Sequence, residues 1–282
     1  MEKINFKPLL VILILFLGFL SWRNFGEKIL PKKNGYLNQL EIKKENIQKI
    51  TLTQNEKSLE IKKDKGVWQV AGKKAKEVQV NDLLEILFPS SEPVLVAKTS
   101  SRHKEMKVDD QGALKIKLNE EKEIWLGVGS GGNYLRFPGK DEVWFVAGSW
   151  FSPTIDFSFW VDKTIISLDS SKLKKIEWRS PPKIKTYEKK EGSWWEKEKK
   201  IEDKILDPII TTLSPLIADE VIEKERPTGY SLSPKITLTL DWEGGQEKLE
   251  FFKGTKNWLI KRGSDNEEFL IGEEKIKNLI SF

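Results

Sequence analysis

Residues 50–68 and 176–194 carry one pattern 126 residues apart, and this repetition constrains the fold more than any other feature of the chain. Both stretches begin with Ile and end in a Gly-x-Trp unit, at Trp68 and at Trp194. The same offset aligns Asn81 with Asp207, two residue types that favour a helix N-cap. It also aligns an apolar helical face and a closing proline: Leu83, Leu84, Leu87 and Pro89 with Ile209, Ile210, Leu213 and Pro215. The sequence therefore predicts two copies of one domain.

Length and charge agree with two domains and exclude some functions. The 282 residues allow two units of about 120 residues after an N-terminal extension. The 48 basic and 43 acidic residues are interleaved, so we predict a solvated mixed surface and no nucleic-acid partner. The absence of cysteine excludes disulfides, thiolate metal sites and a cysteine nucleophile.

The first 24 residues have the pattern of a membrane anchor. Lys3 and Lys7 precede the uncharged, mainly apolar run of residues 8–22. As a helix this run is about 22 Å long, short of the roughly 30 Å hydrocarbon core. We predict an uncleaved transmembrane signal anchor at 1–24 and a tether at 25–40, with a cleaved signal peptide as the alternative.

The topology expected from this anchor places the amino terminus in the cytoplasm and the remaining chain outside. The basic residues after the apolar run outnumber those before it, which by charge bias alone favours the opposite orientation. Long domains, however, translocate largely regardless of charge. The expected localisation is therefore the cell membrane, single-pass, with the main domains extracytoplasmic.

Alternation and turn signals predict the fold class. Residues 114–118 and 236–240 alternate apolar and polar side chains cleanly, as a half-buried strand does. Several such stretches accompany one main helical pattern in each half. We predict an α+β fold: two tandem repeats, 41–165 and 166–282, of one mixed, mainly antiparallel β-sheet domain with one main helix each, after an N-terminal transmembrane helix.

An aromatic-rich segment, residues 149–168, lies between the predicted repeats. It includes Trp150 and Trp160. Exposed indoles of this kind could form a platform for an envelope glycan, whereas a buried cluster would pack the connecting segment against its domain. The second interpretation is favoured, and the first remains an alternative.

Three groups of residues could carry chemistry, and none has the context that catalysis requires. His103, the only histidine, lies in a polar loop predicted to be exposed, without a Gly-x-Ser-x-Gly elbow. The run Gly127–Gly132 fits Gly-x-Gly-x-x-Gly but leads into a predicted strand, not into a phosphate-binding helix. The acidic clusters 120–123 and 265–268 fall at predicted hairpin tips, where carboxylates are solvated. We therefore predict no catalytic, cofactor-binding or metal-binding residues and no cofactor.

The pattern of short motifs resembles the domain of unknown function 4340 family of bacterial proteins. The resemblance rests on an Ile-x-x-Ile strand start at Ile47 and Ile50, the two Gly-x-Trp units, and the run Gly229–Pro234, in which Ser231 stands where glycine is usual. Residues 157–168 resemble the family's linker into its second unit. The resemblance implies a membrane-anchored envelope protein with repeated units, sometimes associated with ABC-type transport or gliding-like systems, and it implies no catalytic residues.

Together these observations predict a non-enzymatic, membrane-anchored accessory or scaffold protein. Its expected partners are the membrane, through the N-terminal helix, and a protein of the envelope. An envelope glycan-binding module that uses exposed Trp side chains is the first alternative. An unrecognised hydrolase is the second.

Overall fold

The computed structural model describes residues 35–148 and 151–281, which form two compact units. One unit comprises the described residues up to 47 together with 84–152, and the other comprises 48–83 with 153–281. The helices are α1 (Tyr36–Leu40), α2 (Glu77–Leu87), α3 (Phe157–Trp160), α4 (Asp207–Thr212) and α5 (Glu273–Ile280). The strands of the first half are β1 (Lys49–Gln54), β2 (Lys57–Asp64), β3 (Val67–Val70), β4 (Lys73–Lys74), β5 (Val94–Ala97), β6 (Leu114–Leu118), β7 (Lys122–Gly129), β8 (Gly132–Arg136) and β9 (Val143–Ala147).

The strands of the linker and the second half follow the same alternation of short hairpins. They are β10 (Thr164–Ile166), β11 (Leu173–Ser180), β12 (Lys183–Lys190), β13 (Ser193–Glu196), β14 (Lys199–Lys200), β15 (Leu216–Ile217), β16 (Glu220–Val221), β17 (Ile236–Trp242), β18 (Gly245–Lys253), β19 (Asn257–Arg262) and β20 (Glu268–Gly272). The strand pairs whose register is described are antiparallel, which confirms the mainly antiparallel α+β class.

The two halves have the same order of strands. In the first half the strands run β4-β3-β2-β1 and β6-β7-β8-β9-β5. The second half has β14-β13-β12-β11 and β17-β18-β19-β20-β16, joined by pairing of β11 with β17. The stretches predicted as strands at 114–118 and 236–240 lie in β6 and β17.

Turn geometry also repeats at the 126-residue offset. Gly66 and Gly192 have φ of 85° and 79°, and the residues before them are left-handed as well. Each glycine leads into a strand that contains a buried indole, Trp68 or Trp194, exposed by only 6% and 4%. The carbonyl of Trp68 accepts a hydrogen bond from the Ala75 N–H at 2.8 Å. The carbonyl of Trp194 accepts one at 2.9 Å from the N–H of Ile201, which lies 126 residues after Ala75. Both hairpins therefore place their indole in the core, as predicted.

The sheet of the second half buries one face beneath α5. Alternate residues of β11, including Ile176 and Trp178, are buried. The indole Nε1 of Trp178 donates to the carbonyl oxygen of Leu279 at 2.9 Å, which ties α5 to this face. The opposite face of β11 and β12 is partly exposed and mainly polar, with the exposed Ile184 as an apolar exception.

The connecting segment is an integral part of the unit that contains residues 48–83 and 153–281. On one side the carbonyl of Trp160 accepts from the Lys76 N–H at 2.6 Å. Further along, β10 pairs with β15, and the carbonyl of Lys163 accepts from the Ala218 N–H at 2.9 Å. The predicted repeat boundary between residues 165 and 166 falls within β10.

Two predicted boundaries shift. Helix α2 begins at Glu77, a turn before the predicted N-cap Asn81, because the fully buried Val80 extends its apolar face. Residues 36–40, predicted as the end of the tether, instead form α1 with Tyr36 and Leu40 buried.

The predicted anchor at 1–24 lies outside the described residues. Within the described part of the chain, no helix has the length and apolarity needed to cross a bilayer.

Candidate functional site

His103 is buried, and its ring makes a structural hydrogen bond. The residue is only 8% exposed, so the predicted exposure is wrong. Its Nε2 lies 3.0 Å from the carbonyl oxygen of Asp141, which can only accept, so Nε2 is the donor. The nearby Ser101 hydroxyl pairs with that of Thr99 at 3.0 Å. The imidazole joins two loops and is not placed as a base for a serine.

The glycine-rich run 127–132 is the β7–β8 hairpin, as its lead into a strand predicted. A Cβ at Gly129 would lie 2.5 Å from the ring of Tyr134, and one at Gly132 would lie 2.6 Å from the ring of Phe145. Gly131 forms the turn with φ of 88°. The glycines admit aromatic rings against the sheet. The run does not begin a helix, so it provides no helix N-terminus for a phosphate.

The acidic cluster at the β19–β20 hairpin is built into a clamp around Arg262. The guanidinium contacts Asp265 and Glu267, both at 2.7 Å, and donates at 2.9 Å to the carbonyl oxygens of Thr164 and Ile165. It thereby ties β10 to the hairpin. The prediction that hairpin-tip carboxylates are solvated is wrong for Glu267, which is 8% exposed.

The pKa values of the two carboxylates of this clamp are shifted in opposite directions. Burial raises the pKa of Glu267, and the neighbouring Asp265 charge adds to the effect. At Asp265 burial acts upward too, but hydrogen bonds from Arg262 and from the Glu267 N–H hold its pKa below the usual value. At Asp265, whose side chain is 43% exposed, these hydrogen bonds outweigh burial, whereas burial prevails at Glu267, whose side chain is 11% exposed. Both carboxylates are paired with Arg262 and have a structural role in the clamp.

The aromatic segment is a packing seam where the structure describes it. Trp160 is fully buried, its Nε1 donates to the carbonyl oxygen of Thr154 at 2.6 Å, and the Phe159 ring packs edge-on at 5.1 Å. The Trp160 indole therefore presents no face to a sugar. Trp150 lies outside the described residues. Among those residues, no group of three or more His, Asp or Glu side chains is placed to hold a metal ion.

The candidate functional site is an exposed apolar surface on the outer face of the second sheet, which we name the Ile184–Trp195 surface. Ile184 of β12 is 58% exposed, and Trp195 is half-buried on the same face of the neighbouring strand β13. Glu188 lies directly opposite Trp195 in the β12–β13 register. These residues line a groove of about 510 Å³ together with Thr186, Lys190, Glu196 and Lys197.

A rim of alternating charges surrounds this groove. The carboxylate of Glu188 lies 3.5 Å from the ammonium of Lys190 and 3.9 Å from that of Lys175. The indole Nε1 of Trp195 is buried without a hydrogen-bond partner. A large aromatic residue with an unused donor, inside a charged rim, is the composition found at binding hot spots.

The first half lacks this apolar surface. The positions 126 residues earlier are Ser58, in place of Ile184, and Gln69, in place of Trp195. The same face of β2 carries Glu60, which forms an ion pair with Lys49 at 2.7 Å. Sequence reasoning did not select Ile184 or Trp195. The signal that could have found them is the presence of apolar residues in the second half at positions where the first half has polar ones.

Comparison with known proteins identifies one family. The model described as a domain of unknown function (DUF4340) matches residues 90–235, just over half of the chain. The match starts just before β5 and ends just before β17, so it includes the Ile184–Trp195 surface. No curated protein and no solved structure matches the chain.

Proposed function

Because the chain belongs to the DUF4340 family, we propose that it is a membrane-anchored, extracytoplasmic accessory or scaffold protein that binds a protein partner of the envelope. The apolar run at residues 8–22 supports the anchor and the export of the domains. Association with an ABC-transport or gliding-like system is part of the same proposal. The expected role is recognition without catalysis.

We further infer that the two halves are copies of one domain. The shared strand order, the left-handed turns at Gly66 and Gly192 and the matching hydrogen bonds to the Trp68 and Trp194 carbonyls support this inference. The outer faces of the two halves differ at two matching positions, where Ile184 and Trp195 replace Ser58 and Gln69.

The observation that carries the proposed function is the Ile184–Trp195 surface. Burial of the exposed Ile184 and the half-buried Trp195 against a partner recovers about 25 cal/mol for each Å² of apolar surface covered. The rim provides both signs of charge, which can match charged side chains of a protein and exclude wrong partners.

An envelope glycan is the second candidate ligand of this groove. The half-buried indole of Trp195 and the hydroxyl of Thr186 favour it, because sugars offer polar groups and an apolar face for stacking. Ile184 and the paired charges at Glu188 favour the protein partner.

Exchange of residues between the halves tests the proposed function. We expect the double variant Ile184→Ser/Trp195→Gln to capture less partner than the wild type, by a factor of about ten or more. Truncating a hot-spot aromatic residue costs about 2 kcal/mol or more of binding free energy. The measurement is quantitative affinity capture by full-length protein from solubilised host membranes.

The matched control is Ser58→Ile/Gln69→Trp, which makes the reverse exchange on the first half and is expected to leave capture unchanged. Undiminished capture by Ile184→Ser/Trp195→Gln would contradict the proposed surface. If protein capture is unchanged but retention on purified cell-wall glycan is lost, the glycan candidate replaces the protein one.

A further inference from the structure

Strand β5 is an uncharged terminal strand in its sheet. Its four residues, Val94–Ala97, pair with β9 on one side only, and β5 stands at the end of the strand order. Val94 is 62% exposed, and the other three side chains are partly exposed. The outer backbone N–H and C=O groups of such an edge are a template for a further strand.

The corresponding edge of the second half is protected. Strand β16 has two residues, and one of them is the exposed Glu220. The stretch that leads into it, residues 216–218, is already paired with β10. Short length, charge and a covering segment are the usual means of blocking an edge. Strand β5 is twice as long as β16 and carries no charge, although its pairing with β9 is irregular between Leu95 and Ala97.

The halves differ here because their preceding segments differ. In the second half the Leu213 carbonyl accepts from the Leu168 N–H at 3.2 Å, at the end of the β10 segment. In the first half the carbonyl of Leu87, 126 residues earlier, accepts instead from the Tyr36 hydroxyl of α1 at 3.0 Å. The first half thus meets the same hydrogen-bonding need with a helix, and no described segment of the chain is added as a strand beside β5.

An apolar strip continues from this edge across the sheet. Val94 is in register with Phe145, and Phe145 is in register with Tyr134. The two aromatic rings are half-buried with centroids 5.1 Å apart, and they rest over Gly132 and Gly129. An apolar side chain opposite Val94 on an added strand would extend this strip.

We propose that β5 accepts an extended peptide segment of a partner by strand addition. The segment has apolar residues at alternate positions, one of which packs beside Val94. It carries an acidic residue at the end that meets Lys98, the exposed cation immediately after β5. Backbone hydrogen bonds supply the affinity and the Val94–Phe145–Tyr134 strip supplies the specificity. This site goes beyond the proposed function, because it lies on β5 and not on the Ile184–Trp195 surface.

Selection with displayed peptides tests the proposal. A phage library of random peptides is panned on full-length protein in detergent micelles, and the enriched sequences are synthesised. We expect alternating apolar peptides with a terminal acid, and protection of the amides of residues 94–97 from hydrogen exchange when such a peptide binds. Val94→Lys should weaken binding at least about tenfold, because a charge is then buried against the added strand.

Val78→Lys is the matched control, because Val78 is also 62% exposed but lies on α2. It should leave peptide binding unchanged, as should Ile184→Ser/Trp195→Gln, so that failure here is distinguishable from failure of the proposed function. Enrichment of no alternating peptide, or no protection at residues 94–97, would overturn the proposal. If no peptide binds but the protein self-associates, and Val94→Lys abolishes this self-association, the edge pairs with a second copy of the chain. That result would also overturn the proposal.

Discussion

Replacing Trp68 or Trp194 by Ala is expected to lower the free energy of unfolding by about 3–5 kcal/mol in each case, the usual cost of truncating a large core aromatic. Each indole is buried and lies beneath a lysine ammonium, that of Lys63 at 5.2 Å from the Trp68 centroid and that of Lys189 at 5.8 Å from the Trp194 centroid. These contacts also repeat at the 126-residue offset. The measurement is urea unfolding of the full-length protein followed by far-UV circular dichroism.

Trp195→Ala is the control for this prediction, because it removes the same side chain from the next position of the same hairpin. Trp195 is only half-buried, so its loss should cost about 1 kcal/mol. Equal costs for Trp194→Ala and Trp195→Ala would contradict the core position of the first. A negligible cost for Trp68→Ala alone would contradict the equivalence of the two halves.

Arg262→Met is expected to lower the free energy of unfolding by about 3 kcal/mol, at the low end of the range for breaking a buried ion pair. The substitution leaves the carboxylate of Glu267 buried without its cation and removes the donors that hold the Thr164 and Ile165 carbonyls. The linker strand should then exchange its amide hydrogens faster. Arg179→Met is the control, since the Arg179–Glu177 ion pair at 3.0 Å is exposed and worth at most about 1 kcal/mol.

The pH dependence gives a second readout of the same clamp. The pKa of Asp265 is lowered in the folded state, so its contribution is present above the ordinary Asp pKa and is lost as the pH falls through the folded value. The pKa of Glu267 is raised, so this group loses its charge, and its attraction to Arg262, at a higher pH than an ordinary Glu. The stability difference between wild type and Arg262→Met should therefore shrink on acidification. A difference that is constant through the carboxyl titration range would contradict the assignment.

Local patterns predicted much of the fold. The alternation at 114–118 and 236–240 and the paired Gly-x-Trp units gave the strands and the buried Trp68 and Trp194, because a strand's side chains alternate between core and solvent. The sequence also predicts helix α2, but it places the start one turn too late, because Asn81 is a residue type that favours an N-cap.

Long-range contacts account for what sequence reasoning missed. The burial of His103 depends on the carbonyl of Asp141, 38 residues away, and the burial of Glu267 depends on Arg262 and on the linker strand. No local pattern encodes these partners. The Ile184–Trp195 surface depends on side chains from two strands that become neighbours only in the sheet.

Site-specific cross-linking in intact cells tests most directly whether the protein is an extracytoplasmic scaffold that binds a protein partner through the Ile184–Trp195 surface. The chain contains no cysteine, so Ile184→Cys introduces a unique thiol. A membrane-impermeant maleimide that carries a photoreactive diazirine is expected to label this variant in intact cells and, on illumination, to give one discrete protein adduct. Ser58→Cys, on the polar face of the first half, should be labelled without forming that adduct. Labelling of Ile184→Cys only after lysis, or labelling without any protein adduct, would contradict the account.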